Sequence, residues 1–152
     1  MMPFDLYPQG GNEPIRIPQN GNGTARRGYG PQTFQISGFH CAYCGMDLGS
    51  NYNSWLSISV DHVVPRQIAW YNARQEWVDD LFNLVTCCRA CNEFLQLQFE
   101  EQAPQTVEQF VEVRDRIFRA KCERAHQRHH EERRWFESNV LHLAERAPTE
   151  EN

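Results

Sequence analysis

The chain of 152 residues carries a net charge of −5, a length that suits one ordinary domain with tails and a balance that advertises no general nucleic-acid affinity. No apolar run reaches the roughly 18 residues of a membrane-spanning helix, and the opening MMPFDLYPQGGNEP has neither the basic start nor the long apolar stretch of a secretory signal. A cytoplasmic, reducing location with no membrane partner is therefore expected, and there the six cysteines read as metal ligands or buried thiols rather than disulfides.

Residues 1–33 hold most of the glycines and several prolines. They carry too little apolar material to offset the entropy of ordering, so a flexible Gly/Asn/Pro-rich segment is expected, with Arg26 and Arg27 solvated in it. A domain over 34–103 follows. TFQISGFHCAYCG, from Thr33 to Gly45, predicts a short strand near 34–37 that runs into a cysteine knuckle whose turn Gly45 makes. A second strand is predicted near 57–64, where Pro65 ends the run ISVDHVVP. Trp70, Tyr71 and Trp77 suit a packed loop or short helix.

The spacing of Cys91, Leu95 and Phe99 predicts a helix over about 89–100. Pro104 breaks the pattern and opens a helical region over 104–147. Thr106 and Gln109 form a capping box there, ahead of a stripe through Val107, Phe110, Val111, Ile117, Phe118, Cys122 and Ala125 that resumes at Phe136, Val140 and Leu143. Two outcomes fit: a hairpin bent around 125–130, or one protruding helix that pairs with a second copy or a partner protein. His126, His129 and His130 read as a solvated face of it. The fold class expected is a small α+β unit with a C-terminal helical extension.

Two CxxC pairs, CAYC at 41–44 and CRAC at 88–91, carry the plainest chemistry. Cys41, Cys44, Cys88 and Cys91 offer four thiolates to one tetrahedral ion, the closed donor set of a structural Zn²⁺ site. Pairing Cys87 with Cys91 would leave a poorer knuckle with three residues between, so Cys87 is read as a buried thiol. Such an ion clamps two distant knuckles and contributes folding energy directly.

The ordered elements CAYC (41–44), VDHVVP (60–65), NLV (83–85) and CRACN (88–92) resemble the HNH, or ββα-metal, endonucleases, in the branch stapled by a four-cysteine zinc. The likeness spans roughly residues 38–98 and implies a ββα-metal core. In such enzymes the histidine is the general base that activates water, so the resemblance gives that role to His62, whose near-neutral intrinsic pKa suits proton removal. It makes Asp61 and Asn92 ligands of a separate catalytic ion, Mg²⁺ or a similar divalent, and makes Asn83 the residue that ties the loop and orients His62. The implied activity is metal-dependent hydrolysis of phosphodiester bonds in DNA, with duplex expected as the substrate form.

Arg66, Arg74 and Arg89 are the nearest donors for phosphate. Between Gly38 and Pro104 the chain holds three Arg or Lys against eight Asp or Glu, poor support for tight duplex binding. Many family members carry a lysine shortly after the last motif residue, where this chain has Leu95 with Glu93 nearby, and an aromatic, acidic loop replaces the usual glycine-rich connection. These departures motivate an alternative: a catalytically weak or inactive zinc-stapled module that binds nucleic acid or protein. Adjacent strand residues face opposite ways, so a bend is expected at Asp61 and His62 if both are to reach one phosphate.

Overall fold

In the computed structural model, which describes residues 30–144, the segment predicted as the first strand is a helix instead: α1 spans Gly30–Ser37. Pro31 lies in its first turn, where a missing N–H costs nothing. Gly38 and Phe39, both at φ 60°, close its other end. There the Phe39 N–H donates to the Phe34 carbonyl (3.0 Å) and the Gly38 N–H to that of Gln35 (3.3 Å), and the Phe34 and Phe39 rings stand 6.1 Å apart. This paired bonding with an apolar clasp is a helix ending; the Gly-Phe step that follows the predicted strand is the cap. Residues 1–29, Arg26 and Arg27 among them, lie outside the described residues.

The sheet has two strands, β1 (Ile58–His62) and β2 (Leu84–Cys88), antiparallel and in unbroken register from Ile58↔Cys88 to His62↔Leu84. β2 is buried along its whole length. α1 packs over it, and the Ser37 hydroxyl donates to that of Thr86 at 2.8 Å. α2 (Tyr52–Leu56) leads into β1 from an Asn51 cap that accepts the Ser54 N–H at 3.0 Å. Between the strands come α3 (Gln75–Val78) and two 3₁₀ turns, Tyr71–Ala73 and Leu81–Asn83.

β2 runs straight into α4 (Arg89–Phe94), which is shorter than the helix predicted over 89–100. Beyond it the chain is drawn alongside the 70–74 loop: Trp70 Nε1 donates to the Glu101 carbonyl (2.9 Å) and Arg74 Nε to that of Pro104 (2.8 Å). Those two ties use backbone carbonyls of an extended segment in place of a further helical turn.

α5 (Val107–Asn139) is one continuous helix of 33 residues, about 50 Å long at 1.5 Å per residue. The bent hairpin does not form, for no Gly or Pro interrupts this span and an Arg128–Glu132 pair (2.8 Å) stitches one turn to the next. Thr106 caps its start, accepting the Gln109 N–H at 3.3 Å. Phe110, Val113, Ile117, Phe118 and Ala125 place its first half in the core. Trp70 and Trp77 meet Phe110 there, with ring centroids 6.4 and 5.8 Å away, the packing role expected of them. Past Ala125 most of the helix faces solvent, with Trp135 60% exposed, and α6 (Leu141–Ala144) follows. The whole is an α+β arrangement, and among the described residues no helix is long and apolar enough to cross a membrane.

Candidate metal centre and histidine site

The two CxxC knuckles meet. Gly45, at φ 74°, turns the first one so that its N–H donates to the Cys41 carbonyl at 2.9 Å. The Ala42 N–H donates to the Thr86 carbonyl (2.9 Å), which lays this knuckle against β2. Cys88 ends β2 and caps α4, its sulfur accepting the Cys91 N–H at 3.4 Å. The sulfurs of Cys41, Cys44, Cys88 and Cys91 lie within 4.8 Å of one another, while Cys87 is a buried thiol driven up by burial.

Four thiols so close cannot ionise together unaided. Hydrogen bonds from Cys44, Cys88 and Cys91 hold the Cys41 thiol far below its usual range. Bonding to Cys41 and Cys44 in turn drives Cys88 and Cys91 far up. A divalent cation removes that conflict, and four sulfurs at this separation suit the tetrahedral preference of zinc.

Asn83 is fully buried between the strands. Its side-chain oxygen accepts the Val64 N–H (2.9 Å), and its amide donates to the carbonyls of Val64 (2.9 Å) and Val78 (2.8 Å). Its own carbonyl accepts the Val63 N–H at 2.9 Å. Asn83 thus ties Val64 to the end of α3 through its side chain and Val63 through its backbone. His62 Nε2 is turned inward, 3.5 Å from Asp79 Oδ1, and is buried without a hydrogen-bond partner. Asp79 also accepts from Arg66 Nε (2.7 Å) and the Tyr71 hydroxyl (2.8 Å). Burial and the Arg66 charge push the His62 imidazole down to about 4, against the pull of Asp79.

Asp61 goes elsewhere. β1 stays regular through His62, so the bend expected at this pair is absent and the two side chains leave by opposite faces. Asp61 Oδ2 accepts from the ammonium of Lys121 on α5 (2.5 Å) and from the Tyr43 hydroxyl (2.6 Å). Lys121, only 1% exposed, donates as well to the His62 carbonyl at 2.9 Å. A divalent ion on Asp61 and Asn92 would have to sit beside this buried ammonium, so the residues as arranged do not fit one. Asn92 follows Cys91 in α4, half-buried, its carbonyl accepting from Gln96 at 3.0 Å.

Of the three arginines, Arg74 is committed to structure, bonding Pro104 and Ala73 and lying over the Trp77 ring at 5.0 Å. Arg66 serves Asp79, and Arg89 pairs with Glu93 (3.2 Å) in the open, its side chain 80% exposed. Sequence reading passed over Asp79, Tyr43 and Lys121. Lys121 alone left a signal, as the only lysine of the chain and set on the apolar stripe of α5. His129, expected on a solvated face, instead brings Nε2 within 3.2 Å of Cys91 Sγ. Comparison of the chain with protein-family models, with curated proteins and with solved structures gives no match.

Proposed function

We propose that the chain is an HNH-type endonuclease that hydrolyses phosphodiester bonds in DNA, with His62 as general base. The observation that carries this reading is the Asn83 clamp on the loop after His62, whose imidazole lies 3.5 Å from Asp79. With Nε2 facing Asp79, Nδ1 is the nitrogen that takes the proton from water. The base is neutral at pH 7, as its role requires. Asp79 orients the ring and steadies the imidazolium once it forms, the part of a third group behind a catalytic base. A zinc ion held by Cys41, Cys44, Cys88 and Cys91 would supply folding energy, its coordination being closed to substrate. In this reading Asp61 is a structural tie to α5, and Arg66 is the phosphate donor nearest the base.

A non-cleaving module that binds nucleic acid or protein is the second reading, favoured by the Lys121 ammonium on Asp61 and by the low basicity of His62. One assay separates them: nicking of supercoiled plasmid across a panel of divalent ions, by the intact chain and by His62→Ala. Cleavage that falls on the order of 100-fold in the variant, at unchanged zinc content and circular dichroism, supports the nuclease. Cutting retained by His62→Ala sinks it, and DNA binding without cleavage under every ion moves the conclusion to the second reading.

A further inference from the structure

His129 stands beside the four-cysteine centre, with Nε2 3.2 Å from Cys91 Sγ. Its ring is held edge-on against Phe94 of α4, with centroids 5.2 Å apart and planes at 76°. Arg128 covers the same Phe94 ring at 5.1 Å. A zinc ion takes four ligands and the four sulfurs supply them, which leaves His129 as a partner of a sulfur rather than of the ion. Four thiolates around a divalent ion carry a net charge of −2, and an N–H aimed at one of them offsets part of it through a charge-assisted bond.

The contact also has a place in the fold. Ala125 is the last buried residue of α5, and the next two turns reach α4 through His129 and Arg128. Beside them His126, His130 and Arg133 line an open groove of about 610 Å³ together with Cys44 and Met46. Cys44 is half-exposed there, so one edge of the centre faces solvent and its stability depends on what surrounds the remaining sulfurs.

We propose that His129 is a positioning residue of the metal centre: its Nε2–H donates to the Cys91 thiolate, slows metal release and fastens the distal half of α5 to α4. This rests on the four-cysteine site alone and stands whether or not the chain cuts DNA.

The test uses the full chain loaded with zinc or with Co²⁺, as wild type, His129→Phe and His129→Gln. Phe keeps a ring against Phe94 without the N–H, and Gln keeps a donor without the ring. In His129→Phe the sulfur-to-cobalt absorption band is expected to shift to lower energy, and zinc release to a chelator to quicken on the order of tenfold. His129→Gln is expected to restore both toward wild type. A His129→Phe chain with the wild-type band and release rate overturns the proposal, as does a Gln variant no better than Phe. A wild-type cobalt spectrum of three sulfurs and one nitrogen overturns it too, since His129 would then be a ligand. Should the Phe variant not fold, the Gln variant decides: release within about twofold of wild type supports the proposal, and release about tenfold faster contradicts it.

Discussion

Cys44 and Cys88 lie 44 positions apart in the chain, yet their sulfurs stand 3.8 Å from each other. Asp61 and His62 are neighbours, yet one binds Lys121 on α5 and the other faces Asp79 after α3. The contrast shows that strand register, not adjacency in sequence, decides what meets. Antiparallel pairing of Ile58 with Cys88 places the second knuckle at the edge of the sheet, where the Ala42–Thr86 bond brings the first. The same pleat parts Asp61 from His62. Convergence at the cysteines needs only a cation to complete it; divergence at the pair gives each residue its own surroundings.

The largest effect expected is at the converging region. Stripping zinc with a chelator, or replacing Cys88 by Ser, should abolish the cooperative thermal transition, because structural zinc in a small domain is folding energy outright. A melting temperature unchanged after complete extraction would show that the cysteines pack without a metal.

Next comes the Asp61 side of the contrast. Lys121→Met leaves a carboxylate buried without its cation and should cost about 3–5 kcal/mol in urea denaturation, while Asp61→Asn/Lys121→Met should recover most of that loss. Equal losses in the single and double variants would mean that Lys121 acts through packing alone.

A smaller effect tests the His62 side. Its imidazole titrates at about 4 in the fold against about 6.5 when unfolded, with Arg66, Asp79, Asp61 and Lys121 around it. The unfolded chain therefore takes up the proton first as pH falls. The stabilisation is complete above pH 6.5 and is lost as pH drops through about 4, by on the order of 3 kcal/mol. The stability curve of His62→Gln should be flatter than that of the wild type across this window; parallel curves would place His62 in solvent.

What was legible in the sequence follows the same division. Cysteine spacing is a local signal with a known geometric requirement, so the clustering of Cys41, Cys44, Cys88 and Cys91 and the exclusion of Cys87 could be read directly. Asn83 stood out only through the family resemblance, and its burial and its bonds to Val64 and Val78 are seen only in the fold. The helix at 30–37 is not legible because the Gly38–Phe39 cap that ends it shows only in the backbone. Lys121, Asp79 and His129 reach their partners across 60, 17 and 38 positions. No local pattern encodes such distances; they depend on how α5 and α3 dock.

The most direct test of these separate roles is plasmid nicking by Asp61→Asn/Lys121→Met, which removes both charges of the tie and leaves His62 and Asp79 in place. If Asp61 is structural, the rate should stay within about fivefold of the wild-type chain, about 1 kcal/mol of barrier. A loss on the order of 100-fold, equal to that of His62→Ala, would contradict the account and make Asp61 part of the chemistry.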